Sequence, residues 1–215
     1  MTDTLAAILA LVPVPDMAKA TLRARLAEPS RHYHGTAHVA LLWARHRQYG
    51  AGLSVHHEPW NTWIACAIAY HDAIYNAARG DNEAASAALW QSAEPALPAD
   101  GIAWVTGTIL ATANHRAAAP EPGMTEPAWA ARAWMLDLDL TPLGETPDAF
   151  DANTVALRRE YAHLSNVAWT TGRNSFLRSI AETPRLFRTP ALHTAFDAQA
   201  RDNIVRELRA QVGNQ

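Results

Sequence analysis

Apolar positions recur at steps of three and four along most of this chain, and the strict alternation of a half-buried strand never persists. Ala, Leu, Arg and Glu dominate the long segments, as helices favour, so the pattern predicts an all-α protein. Proline and glycine divide it into blocks. Pro13 and Pro15 close the first block and Pro29 the second; a third spans about residues 35–49. Pro59 suits the first turn of a helix running through His71, and Asp81 reads as the N-cap of one running through Trp90. Further helices are expected at about 102–115, from Thr125 and Pro127 to Leu138, at about 150–171 closed by Gly172, and at about 176–180 and 191–212. No repeat, low-complexity tract or linker divides the chain, so residues 1–215 are expected to form a single-domain orthogonal helical bundle.

A few polar residues fall where core should be. Trp60, Ile64, Ile68, His71 and Tyr75 follow one helical face, which puts His71 on the buried stripe and Asp72 at its edge. Both are costly to bury unpaired. A core histidine bonded to a carboxylate is one explanation; a shared cation is the other. His34 and His38 are four apart and share a face if both are helical, although Gly35 lies between them and His34 can instead sit in the preceding loop. Asp137 and Asp139 stand about 200° apart around a helix, so only one can face a given site. Acids are unfavourable at a helix C-terminus, which favours a counter-ion for one of them. Imidazole and carboxylate from separate helices suit a divalent Mn, Fe, Co, Ni or Zn ion.

Composition narrows the partners. With 49% hydrophobic residues, the 215-residue chain can bury a sizeable core. A formal charge of −3 argues against nucleic-acid polymers or membranes as partners. All the basic residues except Lys19 are arginine, the better planar partner for phosphate. Cys66 is the only cysteine, which excludes an intramolecular disulfide and a cysteine-based zinc cluster. The first residues lack a basic flank and a small-residue cleavage pattern, and no run reaches the roughly 20 apolar residues of a membrane span; a cytoplasmic protein is expected.

The order His…His-Asp…Asp on successive helices resembles the HD superfamily of metal-dependent phosphohydrolases. "RHYHGTAH", "YHDAIYN", "DNEAASA", "ATANH", "DLDLTPLG", "RREY" and "GRNSFL", in that order, look like one bacterial group of predicted HD phosphohydrolases, over nearly the whole chain from Arg31 onward. The resemblance implies an HD-type bundle with its motif-bearing core at about 31–180 and the helices at 3–28 and 191–212 packed on it. It also implies a divalent ion (Mn, Fe, Co, Ni, Zn or Mg) on His38, His71, Asp72 and Asp139, with Asp137 as the alternative last ligand. Two-metal members carry two further histidines between the doublet and the last Asp. Here His115 stands alone in that interval, which argues against a dinuclear site and the HD oxygenases. Glu83 is the expected group to activate water, with Asp72 sharing in catalysis as a ligand, while Arg31, Arg158, Arg173, His34 and His115 are expected to contact a small phosphorylated substrate, a nucleotide among the candidates. Tyr33, Tyr75 and Tyr161 are candidates to line the pocket; Trp43, Trp60, Trp63 and Trp104 read as packing. The competing reading is a non-catalytic metal-holding module that binds a nucleotide or a protein.

Overall fold

Prolines and loop residues interrupt the chain often enough that no helix before the last exceeds 16 residues. The computed structural model describes residues 2–212; the expected span 1–215 runs past these, and Met1 and residues 213–215 lie outside the described residues. The helices are α1 (Thr2–Leu11), α2 (Asp16–Leu26), α3 (Thr36–Tyr49), α4 (Trp60–Tyr70), α5 (Asn82–Ser92), α6 (Ala99–Ala111), α7 (Glu126–Leu140), α8 (Pro147–Glu160), α9 (Asn166–Ala181) and α10 (Pro190–Val212). Short 3₁₀ turns follow α3, α6 and α7. Among the described residues there is no strand, and no helix is long and apolar enough to cross a membrane.

Helix α4 is the central element. Every residue from Trp63 to Tyr70 is buried, because α1, α3, α5, α6 and α7 all pack around it. Its small residues (Ala65, Cys66, Ala67, Ala69) let those neighbours approach, and its apolar positions therefore blur the single stripe expected of a surface helix. One continuous apolar cluster runs from Leu5 on α1 to Ile204 on α10. Trp43, Trp63 and Trp104 are buried in it and Trp60 packs against it.

Several boundaries differ from the sequence expectation. Helix α4 stops at Tyr70, with His71 as its C-cap and Asp72 in the following turn, so Tyr75 does not continue the stripe. The single helix expected at 150–171 is two. The chain breaks after Glu160, and Ser165 caps α9 by accepting from the backbone N–H of Ala168. Gly172 therefore sits inside α9 rather than closing a helix, and the stretch expected at 176–180 is the end of α9. Asp81 occupies the N-cap position of α5 without accepting a capping bond, because the Arg79 guanidinium takes its carboxylate through two 2.7 Å bonds. Helix α6 begins earlier than expected and ends at Ala111, leaving His115 beyond a 3₁₀ turn at Thr112–Asn114.

The C-terminal helix closes over the end of α7. The Asp137 carboxylate accepts from both the backbone N–H and the hydroxyl of Thr189, each at 2.7 Å, at the start of α10. Buried Asn203 donates to the carbonyls of Leu143 and Glu145. Gly144 permits this approach, since a Cβ there would lie 2.7 Å from the Phe196 carbonyl oxygen.

Candidate metal centre

The end of α4, the start of α3 and the last turn of α7 meet at one point. His38 stands in the first turn of α3, His71 caps α4, Asp72 follows it, and Asp139 lies in the last turn of α7. His38 Nε2 is 3.3 Å from His71 Nε2 and 3.0 Å from Asp139 Oδ1. Asp72 Oδ2 lies 2.9 Å from His71 Nε2 and 3.7 Å from His38 Nε2; Asp139 Oδ1 is 3.5 Å from His71 Nε2. Both histidines are buried, and the two carboxylates are mostly so.

The helix geometry decides between the two aspartates of α7. They point to opposite sides, as a two-residue step requires. Asp137 is fully buried, turned toward Thr189, and burial raises its pKa. Asp139 faces the histidines. Its second oxygen, Oδ2, takes a 2.9 Å bond from His115 Nε2, which orients the carboxylate toward His38.

These donors fit a divalent cation. The Ile68 carbonyl can only accept, so the 3.0 Å contact from His71 Nδ1 keeps a proton there, and in the neutral ring that a cation would bind Nε2 is the inward-facing lone pair. Neighbouring donors around a first-row ion with bonds near 2.1 Å stand about 3.0–3.4 Å apart, close to the spacings between the paired donors here. His38, His71 and Asp139 each offer one ligand atom within 4.8 Å of the others. Electrostatics point the same way. Burial alone lowers the His71 imidazole, but the Asp72 and Asp139 carboxylates outweigh it and hold it well above its ordinary value. Burial alone raises the two carboxylates, and His71 with the other imidazoles pulls both well below the usual range. In the absence of an ion, positive charge on imidazole balances the acids; a cation would take that place.

The HD turn is fastened from beneath. Arg31, 1% exposed at its side chain, donates to the carbonyls of His34, Asp72 and Ala73 and pairs with Glu28. Ser86 on α5 closes the same turn by accepting from the backbone N–H of Ile74 and donating to its carbonyl. Arg31 thus positions the ligand-bearing backbone, and its donors face carbonyls.

A cleft of about 640 Å³ opens beside the cluster, and Asp72, Asp139, His34, His115 and Glu83 all line it. Tyr33, Tyr75 and Tyr161 contribute to its wall. His34 lies in the loop before α3, where Tyr75 stacks on it at 4.0 Å and the Glu160 carboxylate holds its Nδ1 at 2.6 Å. Glu160 also accepts the backbone N–H groups of Tyr33 and His34; burial opposes its ionisation, but the His34 imidazole first, and then these two bonds, keep its pKa below the ordinary value. Arg158 lies apart from the metal ligands, donating to the carbonyls of Tyr161 and Leu164 and to Asn166, and so fixes the α8–α9 turn. Arg173 lines the cleft but grips Glu207 of α10 through two bonds of 3.0 and 3.1 Å.

Glu160 is the residue that sequence reasoning passed over. It sits in the "RREY" stretch beside two arginines and reads there as one more solvated helix charge; only the fold brings it against His34. The apolar cleft wall of α8 and α9 was hidden as well, since one expected helix was really two. Comparison with family models, with curated proteins and with solved structures gave no match.

Proposed function

We propose that this protein is a metal-dependent phosphohydrolase of the HD type, which cleaves a phosphate ester or anhydride with water. The observation that carries this reading is the convergence of His38 from α3, His71 from the end of α4 and Asp139 from α7 at the edge of a cleft, with the Asp72 carboxylate beside the two histidines. A donor set of two imidazoles and two carboxylates open to a cleft suits catalysis better than a closed structural site does. The motif order that resembles the HD phosphohydrolases supports the same reading, as does the all-helical frame.

A bound divalent ion would supply Lewis acidity, lowering the pKa of a water and offsetting charge on the phosphoryl oxygens. The protein's own groups do the rest. Asp139, oriented by His115, and His71, oriented by the Ile68 carbonyl, keep the donors in place without reorganisation. Glu83, in the first turn of α5 and on the cleft wall, orients the attacking water and takes its proton. His34, braced by Glu160, donates to a phosphoryl oxygen.

The test is release of phosphate or pyrophosphate by chelated protein resupplied with Mn²⁺, Co²⁺, Ni²⁺, Mg²⁺ or Zn²⁺ singly, over nucleotides, alarmones and phosphomonoesters. A His71→Ala/Asp72→Ala protein controls for contaminating phosphatase. Turnover that needs metal, vanishes in that control and falls by about 10²–10⁴ in Glu83→Gln is the expected result. Tight metal binding without turnover of anything would instead favour the metal-holding module.

A further inference from the structure

Away from the donor cluster the cleft changes character. Phe150 and Leu157 of α8 and Leu164, Trp169 and Phe176 of the α9 side form an apolar wall continuous with the residues around Asp139. Phe176 remains 43% exposed and Trp169 half-buried, so aromatic surface faces the open cleft. Gly172 lies in the same wall. A helix-interior glycine costs about 1 kcal/mol relative to alanine. Nothing stands within 4 Å of where its Cβ would be, so packing does not explain it. The space it leaves belongs to the cleft.

Charge sets the second constraint. Two guanidinium groups line the cleft, and each is engaged by a carboxylate: Arg79 by Asp81 and Arg173 by Glu207. Three acids, Asp72, Glu83 and Asp139, line it as well. A nucleoside polyphosphate carries several charges and needs several cationic partners. Here the ion at the cluster would be the main attraction for an anion, enough for a single phosphoryl group.

We infer, building on the phosphohydrolase reading, that the substrate is a phosphomonoester of an apolar, aromatic alcohol whose body lies along the α8–α9 wall. In the reaction the oxygen of water joins phosphorus and the bond from phosphorus to the alcohol oxygen breaks. One proton of that water ends on the alcohol and the other stays on inorganic phosphate.

The test compares 1-naphthyl phosphate, glycerol 3-phosphate and ATP as substrates of the Mn²⁺-loaded protein, and repeats the first two with Gly172→Leu. That substitution fills the wall at an exposed position with a better helix former. The unmodified protein is expected to prefer 1-naphthyl phosphate to both others by about tenfold or more in kcat/KM. In Gly172→Leu the ratio of 1-naphthyl phosphate to glycerol 3-phosphate falls by about tenfold, chiefly through KM. Preference for ATP or glycerol 3-phosphate overturns the inference, as does an unchanged ratio in the variant. Binding of 1-naphthylmethylphosphonate, followed by its fluorescence, separates the two layers. If no compound is turned over, the hydrolase reading fails; metal-dependent phosphonate binding weakened about tenfold in Gly172→Leu still upholds the ligand class, and no binding overturns it.

Discussion

His46 offers a direct measure of how strictly the core enforces charge. It is fully buried on α3, next to Trp43 and Trp134. The indole N–H of Trp134 donates to its Nδ1 at 3.0 Å, so Nε2 carries the proton and donates to Asn61 Oδ1 at 3.1 Å. Charging the ring would put a second proton on Nδ1, head-on to the indole N–H. Burial lowers its pKa from 6.5 to about 4, with His56 adding to the effect and the Asn61 bond opposing it. The unfolded chain therefore takes up this proton first as pH falls. His46 contributes its full stability above about pH 6.5 and has lost it by about pH 4, a total of about 3 kcal/mol at 1.36 kcal/mol per unit. Urea unfolding of the chelated protein and of His46→Gln at several values from about pH 7.5 to about pH 4.5 reads this out. The stability advantage of the unmodified protein should shrink by roughly 2–3 kcal/mol across that range. A constant difference between the two proteins would mean that burial does not hold His46 neutral.

The other predictions separate fold from site. Asp137→Ala removes the acceptor of both Thr189 bonds and should cost about 2–3 kcal/mol in thermal or urea unfolding while metal still binds; Asp139→Asn leaves the charged His71 short of a counter-ion, so it should cost about 3 kcal/mol in the chelated protein and also abolish metal binding in calorimetry. Arg31→Lys cannot serve the three carbonyls that the guanidinium fork reaches, so metal affinity should fall about 10–100-fold with a loss of about 2–4 kcal/mol in stability. Arg158→Ala should lower the melting temperature through the α8–α9 turn, with KM within about twofold of the unmodified value; a large rise in KM without loss of stability would instead place it on the substrate.

Much of this was legible in the chain. The all-helical class follows from periodicity, and the His-Asp doublet stood out because it interrupts an apolar run. The opposed directions of Asp137 and Asp139 follow from helix geometry, but which one faces inward depends on where α10 docks, and no local pattern encodes that docking. Arg31 looked free for phosphate because sequence cannot show that three carbonyls 3, 41 and 42 residues away converge on its guanidinium. The break at residues 161–165 was missed because Ser165, the cap that starts α9, lies in a stretch without proline or glycine. The sequence offers His115 as a phosphate contact, and only the fold shows its Nε2 bonded to Asp139.

Calorimetric titration of the chelated protein with Mn²⁺ asks whether the His38, His71 and Asp139 cluster holds an ion at all. One ion should bind per chain, and binding should be lost in both His71→Ala and Asp139→Asn while each remains folded by circular dichroism. No binding to the unmodified protein, or binding that survives both substitutions, would mean that this cluster holds no ion.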